Sequence, residues 1–299
     1  MFDIIIIGAG PAGLTSALYG LRANKSVLIL EAKNYGGQII NAGNIENYPG
    51  IESISGYDYA TNLYNQVIKL DGIIKYETVL KVDENKKVIT NKSEYRAKAV
   101  IIATGAQNRK LNIENEDKFI GKGISYCATC DGNFYKNKLV AVIGGGNTAL
   151  EDALYLSNLA SKVFLIHRRD EFRGEAKYLE ELRKKKNVEF LLNSNIISIN
   201  GNDKLESIII KDVTSNNLVL NIDGLFIAIG QEPKNIIFSD VCDIDENGYI
   251  VSNDDVYTKV KGIYVAGDNR DKGLRQLTTA ISDGSIAASI AIKEMEDKI

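Results

Sequence analysis

The sequence predicts an α/β protein built from two Rossmann-like dinucleotide-binding domains, the second inserted into a discontinuous first. Three observations predict it. A glycine fingerprint, Gly8-Ala-Gly-Pro-Ala-Gly13, follows an apolar run at the amino terminus, and a second, Gly144-Gly-Gly-Asn-Thr-Ala149, follows another at mid-chain. A third buried-strand pattern, Gly262-Ile-Tyr-Val-Ala-Gly267, returns near the carboxyl end with no fingerprint before it, so it completes the first domain rather than starting a third. A chain of 299 residues is long for one core and comfortable for two.

The first unit reads in order. Residues 4–7 are four consecutive isoleucines, as expected of a strand buried on both faces. Gly8, Gly10 and Gly13 follow at once, then a helix-like stretch over 14–22, then Val27-Leu-Ile-Leu30 with Glu31 at its end. Glycines in that setting permit a tight turn and a close approach of backbone N–H groups to a pyrophosphate. The helix N-terminus faces the negative charge, and the acid accepts from a ribose hydroxyl. Alone, a G-x-G-x-x-G is weak evidence. Between strand and helix, with an acid at this distance, it is strong.

The second unit repeats the layout with Leu139-Val-Ala-Val-Ile143, the fingerprint with Gly144, Gly146 and Ala149, a helix-like stretch over 150–159, and Val163-Phe-Leu-Ile166. Gly8 to Glu31 spans 23 positions, and Gly144 to His167 spans 23 as well. Where the first unit places its acid, the second has His167-Arg168-Arg169, with Arg173 close behind. A carboxylate there repels a 2′-phosphate, whereas guanidiniums hold one bidentately, so this site is expected to prefer NADPH to NADH. The competing account pairs these arginines with Asp170 and Glu171 on the surface. His167, the sole histidine, ends a strand at the nucleotide-recognition position, which favours a structural or cofactor-contacting role over acid–base chemistry.

Between the fingerprints stands Cys127-Ala-Thr-Cys130, followed by Asp131. Two sulfurs at this spacing can close a disulfide ring, and a dithiol can carry electrons onward from a nucleotide-bound donor. Asp131 is a candidate proton shuttle; because Asp-Gly is also a turn signal, a capping role stands beside it. The third cysteine, Cys242, reads as a buried thiol, and a zinc site lacks a second Cys or His pair. Apolar content of 44%, charged content of 25% and a net charge of -3 give no global signal for nucleic acid or an anionic membrane. The basic run at 183–186 reads as the solvated end of a helix. The amino terminus lacks a cationic leader, and no apolar run reaches spanning length, so a cytoplasmic protein is expected.

Taken together, these residues closely resemble the low-molecular-weight, bacterial-type thioredoxin reductases of the flavin-dependent pyridine nucleotide-disulfide oxidoreductases. To the motifs above the resemblance adds Gly36-Gly-Gln38, Glu46-Asn-Tyr-Pro-Gly50, Ala103-Thr-Gly105, Asp268 after the third strand, and Arg275-Gln-Leu-Thr-Thr-Ala280. It covers nearly the whole chain. The resemblance implies FAD in residues 1–114 and 245–299, NADPH in residues 115–244, and thioredoxin as the protein substrate of a homodimer whose domains swivel. It implies that Gly8, Gly10, Gly13 and Glu31 hold the ADP half of FAD, with Gln38 and Asn47 along the flavin side, Asp268 near the ribityl chain and Gln276 near the ring. It implies that Cys130 faces the flavin while Cys127 attacks the incoming disulfide. The segments 172–177 and 195–220 look less like the family than the rest.

Three other readings of the same residues exist. A flavin dithiol oxidase keeps FAD and the cysteine pair but has little need of an arginine-bearing second site. A non-catalytic flavin- or nucleotide-binding redox sensor needs neither a full second site nor an aspartate beside the pair. A reductase of a different redox protein shares every motif, and the sequence does not identify the partner.

Overall fold

A computed structural model describes residues 1–42, 44–252 and 255–297. The chain divides into two compact units, Met1–Gln107 with Glu232–Ile299, and Asn108–Gln231. Each holds a sheet whose central strands are parallel.

In the first unit the sheet runs, edge to edge, Ile73–Tyr76, Val27–Glu31, Phe2–Ile7, Glu94–Ile102, Lys87–Thr90 and Val79–Val82, with Ile263–Val265 pairing to the far half of Glu94–Ile102. The first four strands and Ile263–Val265 are parallel where they pair; the last two close an antiparallel meander. The four isoleucines explain the order. Ile4 and Ile6 face one core with Val27, Ile29, Ala99, Ile101 and Tyr264. Ile5 and Ile7 face the other with Leu28, Leu30, Val100 and Ile102. Side chains alternate along a strand, so an uninterrupted apolar run fits only a strand covered on both sides. Helices Pro11–Arg22, Gly56–Ile68 and Leu277–Glu296 cover the first face. Phe238, Val241, Cys242 and Ile250 cover the second.

That second cover corrects the domain boundaries. The expected divisions at 114/115 and 244/245 fall instead at 107/108 and 231/232. Phe238, Val241 and Cys242 are apolar and pack into the first unit's core, so the segment 232–244 belongs there. Leu111 and Ile113 pack against a core of the second unit, which draws 108–114 the other way. The two crossings, Gln107–Asn108 and Gln231–Glu232, pair as a short ribbon.

The second unit has a five-stranded, wholly parallel sheet in the order Val188–Leu191, Lys162–Ile166, Leu139–Gly144, Gly224–Ala228, Ile124–Ser125. Helices Asn147–Ser157 and Ala176–Lys184 cover the face carrying Val140, Val142, Val163 and Leu165. A three-stranded antiparallel sheet, Ser194–Gly201, Leu205–Asp212 and Asn217–Asn221, covers the other face with Ile196, Ile199, Ile208 and Ile210. The segment 195–220 is therefore a packing layer. The basic run at 183–186 begins at the end of helix Ala176–Lys184, as the sequence suggests.

Helices Pro11–Arg22 and Leu277–Glu296 touch at backbone distance. A Cβ at Gly284 would lie 2.3 Å from the Ala12 carbonyl oxygen. Ser16 Oγ donates to the Gly284 carbonyl at 2.9 Å across the same contact. Gly284→Val must push the helices apart, at a cost of about 1–3 kcal/mol for overpacking. Thermal unfolding should show a clear fall in Tm for Gly284→Val and almost none for the exposed Ser282→Ala.

Candidate active site

The two fingerprints are built alike. Gly8 and Gly144 both have positive φ, +105° and +157°. A Cβ on Gly8 would lie 2.3 Å from the Ala103 carbonyl oxygen, and one on Gly144 would lie 2.2 Å from that of Ala228. In both units, then, the first glycine touches the end of the neighbouring strand. The second glycine does the opposite. The nearest atom to a Cβ on Gly10 is 3.9 Å away, and none lies within 4 Å for Gly146. Each is an N-cap with free space in front, the cradle that a pyrophosphate would fill. The sixth position packs helix on strand. A Cβ on Gly13 would meet the Gly8 carbonyl oxygen at 1.9 Å, and Ala149 is fully buried.

Glu31 stands at the carboxyl end of its strand with one oxygen accepting from the Ala9 N–H at 2.8 Å and the other from the Lys33 N–H at 2.8 Å. Its carboxylate is thereby aimed across the fingerprint. Other residues expected around this site are joined across distant segments. Asn47 Nδ2 donates to Gln276 Oε1 at 3.2 Å across 229 positions, and Gln38 Nε2 donates to the Ala106 carbonyl. Gln276 is the N-cap of helix Leu277–Glu296 and forms a capping box with Thr279. Asp268 lies 3.3 Å from Lys272 Nζ, yet its Oδ1 is buried without a directed hydrogen bond. Burial pushes this carboxyl upward, against the pull of Lys272. An open glycine cradle, an aimed carboxylate and a buried oxygen that faces only the Lys272 ammonium fit a flavin dinucleotide with hydroxyls to offer.

The sequence gives no sign of what anchors Asp268. Asp283 takes a bidentate bond from Arg270, at 3.0 Å from Nε and 3.1 Å from Nη2. It also accepts from Lys272 Nζ at 3.0 Å and the Gly267 N–H at 3.0 Å. All three side chains are buried, and each charge has an opposite partner, as buried ions require.

At the second fingerprint, Arg168, Arg169 and Arg173 are exposed and enter none of the ion pairs formed by the described residues; the pairing with Asp170 and Glu171 is not seen. The loop that carries them is docked. The Arg173 N–H donates to the Gly145 carbonyl at 2.8 Å, and Asn147 and Glu175 exchange two hydrogen bonds. Segment 172–177 thus seats this loop on the fingerprint. His167 is buried, with Nε2 3.1 Å from the Glu171 carbonyl oxygen and its ring stacked on Phe172. A Cβ on Gly145 would strike the imidazole at 2.0 Å. His167 therefore supports the turn from beneath. The free cradle at Gly146 and the unpaired-charge face of three arginines fit a phosphorylated dinucleotide.

The dithiol lies at the carboxyl edge of this same sheet. Strand Ile124–Ser125 pairs with Leu225 and Phe226, and Cys127 follows it as the N-cap of a single turn, Ala128–Asp131. Cys127 and Cys130 are joined as a disulfide with their Cα atoms 5.3 Å apart. The Cys130 N–H donates to Cys127 Sγ at 3.2 Å, so the sulfur itself caps the turn. Asp131 makes its side-chain hydrogen bond to Ser125 Oγ at 2.6 Å. Burial pushes its carboxyl above the ordinary range, and the Ser125 hydroxyl pulls it back. Tyr126 Oη donates to buried Glu116, which also accepts from the Leu111 and Asn112 N–H groups. Cys242 is a free, buried thiol whose pKa burial pushes up to about 12. Among the described residues no helix is long and apolar enough to cross a membrane, and no group of three or more His, Cys, Asp or Glu could hold a metal.

Two glycine cradles and a closed Cys-x-x-C ring on parallel sheets define a nucleotide-dependent disulfide oxidoreductase. The chain belongs to the pyridine nucleotide-disulphide oxidoreductase family, whose model matches residues 2–284. Among its relatives, a thioredoxin reductase from Mycoplasma genitalium is 43% identical over 96% of this chain and 93% of its own length. Another, from Treponema pallidum, is 42% identical over 97% and 96%. The crystal structure of thioredoxin reductase from Streptococcus pyogenes superposes with a TM-score of 0.95 at 39% identity, covering 99% of each chain.

As the sole histidine, His167 can be read directly. Burial first, and then the three arginines, lower its pKa below 6.5. A folded value below the unfolded one means that the neutral ring's stabilising contribution is present above pH 6.5 and lost as the pH falls. Its Cε1 proton should titrate in an NMR series with a midpoint below 6.5; a midpoint at or above 6.5 would contradict the buried, arginine-flanked position.

Proposed function

We propose that this chain is an NADPH-dependent thioredoxin reductase. FAD lies in the discontinuous first unit and NADPH in the inserted second, and Cys127 and Cys130 form the dithiol that passes electrons to the thioredoxin disulfide. The observation that carries the reading is the Cys127–Cys130 ring on the carboxyl edge of a sheet that also bears the arginine-flanked fingerprint. Relatives named thioredoxin reductase, similar over nearly their whole length, support it. A flavin dithiol oxidase is the weaker reading, because it leaves Arg168, Arg169 and Arg173 without purpose. We further propose a homodimer working in the cytoplasm.

When bound, NADPH supplies a hydride and FAD passes the electron pair to the disulfide. Everything else falls to side chains of this protein. Gly8, Gly10 and Gly13 admit the FAD pyrophosphate, Glu31 accepts from its ribose, and Asp268 accepts from a hydroxyl of the chain beyond. Gln38, Asn47 and Gln276 border the flavin. Gly144, Gly146 and Ala149 admit the NADPH pyrophosphate, Arg168, Arg169 and Arg173 hold the 2′-phosphate, and His167 supports their loop. Reduction breaks the Cys127–Cys130 bond and leaves two thiolates. The Cys127 thiolate attacks one sulfur of the thioredoxin disulfide, forming a mixed disulfide and releasing the other as a thiolate. Cys130 then attacks Cys127, restoring the ring and releasing the second thioredoxin sulfur. Asp131, held in its less acidic state by burial, exchanges protons with the sulfurs.

Anaerobic NADPH oxidation should be fast only when a thioredoxin is present, and slow with NADH. Flavin reduction without thioredoxin-dependent turnover would point to a different partner. Arg168→Ala combined with Arg169→Ala should lower the kcat/KM preference for NADPH over NADH by about tenfold or more, since hydrogen bonds to charged groups contribute roughly 1.5–3 kcal/mol. Unchanged discrimination would remove the phosphate-clamp assignment. Cys130→Ser should still allow NADPH to bleach the flavin while thioredoxin reduction disappears in the coupled assay.

A further inference from the structure

Ser125 belongs to none of the motifs, yet it joins the acid to the nucleophile. It is 5% exposed and sits on the edge strand two residues before Cys127. Its Oγ lies 2.6 Å from Asp131 Oδ2, accepts from the Cys127 N–H at 3.0 Å, and lies 3.3 Å from the Cys127 carbonyl oxygen. A hydroxyl has one donor and two acceptor positions. With Asp131 ionised, the hydroxyl donates to the carboxylate and accepts from the Cys127 N–H. With Asp131 protonated, the carboxyl donates to Oγ and the hydroxyl proton turns to the Cys127 carbonyl. Both states are satisfied by the same atoms, so the half-buried acid changes charge without leaving a buried partner unpaired, which would cost more than the bond itself contributes.

We propose that Ser125 is a positioning residue of the thiol chemistry, a two-position hydroxyl that keeps Asp131 and the Cys127 backbone in register while Asp131 exchanges its proton with the dithiol. The inference rests on the disulfide-reductase reading. When the Cys127–Cys130 bond takes up two electrons and opens to two thiolates, the Asp131 carboxyl gives its proton to one of them, and the Ser125 hydroxyl turns to the new carboxylate. When that thiol is later consumed by attack on a disulfide, its proton returns to Asp131 and the hydroxyl turns back.

The test uses the full-length flavoprotein and five forms: wild type, Ser125→Ala, Ser125→Thr, Asp131→Asn, and Ser125→Ala with Asp131→Asn. Losing a general acid or base typically costs about 10²–10⁴-fold. Ser125→Ala, which leaves the acid in place, should lower thioredoxin-dependent kcat by about tenfold and move the ionisation limb of its pH profile upward, because a donor to the carboxylate has gone. Ser125→Thr should recover most of the rate and the original limb. In the Asp131→Asn background, Ser125→Ala should cost almost nothing further.

A second readout needs no turnover. The pH dependence of iodoacetamide alkylation at Cys127 in the dithiothreitol-reduced protein, followed by mass spectrometry, should shift in Ser125→Ala and return in Ser125→Thr. Wild-type rate with an unmoved pH profile in Ser125→Ala would overturn the proposal, as would an equal loss with and without Asp131. The alkylation profile judges Ser125 by itself. Wild-type protein that fails to turn over thioredoxin would instead count against the reductase reading.

Discussion

Both halves of this molecule depend on one backbone contact, the approach of a glycine Cα to the carbonyl that ends the neighbouring parallel strand. Gly8 meets Ala103 in this way and Gly144 meets Ala228, each at a distance no side chain could share. The contact turns the chain sharply out of a sheet buried on both faces and into a helix whose first N–H groups lack intrahelical partners. Those groups, and the open space before Gly10 and Gly146, make an anion cradle at the carboxyl edge of each sheet. Helix, cradle and the end of the next strand all take their positions from it.

On this shared frame, a single position sets the character of each site. At the end of the second strand the first unit has Glu31, its carboxylate aimed by the Ala9 and Lys33 N–H groups. The second has His167, which has withdrawn beneath Gly145 and against Phe172, leaving the adjacent guanidiniums outermost. A carboxylate selects a hydroxyl donor, and guanidiniums select a phosphate. Exposed charges lose strength to water and salt, so on the proposed reading several cations would have to act on one ligand group. Asp268 solves the opposite problem. It is carried next to the buried Arg270–Asp283–Lys272 network, in which each charge faces an opposite one.

Much of this was legible in the sequence because it is local. Four consecutive isoleucines specify a strand covered on both faces, and a first glycine followed by a helix pattern specifies the turn. The equal spacing to Glu31 and His167 aligns the two sites without any structure. The helices begin at Pro11 and Asn147, three residues ahead of the patterns that start at 14 and 150, and proline at the first helical position is a start signal. What could not be read depends on contacts between distant segments. The domain boundary moved because Phe238 and Val241 chose the first unit's core, a packing choice with no periodic mark. The meeting of Asn47 with Gln276 spans 229 positions. Residues 195–220 fold as a covering sheet, with Ile208 and Ile210 alternating inward on its middle strand. Ser125 was missed for a different reason: an isolated serine carries no signal until its neighbours are known.

The dithiol segment shows why such unremarkable residues matter. It hangs from an edge strand of only two residues, paired on one side to Leu225 and Phe226. Its helix is a single turn. Closing a ring between residues three apart removes little chain entropy, so the disulfide contributes little to holding the segment in place. Other bonds must hold it when that ring opens. Tyr126 ties it to Glu116, whose carboxylate accepts from three donors, and Ser125 ties the Cys127 N–H to Asp131. None of these bonds uses a sulfur. Opening the ring therefore removes none of the bonds that tie the segment to Glu116 and Asp131.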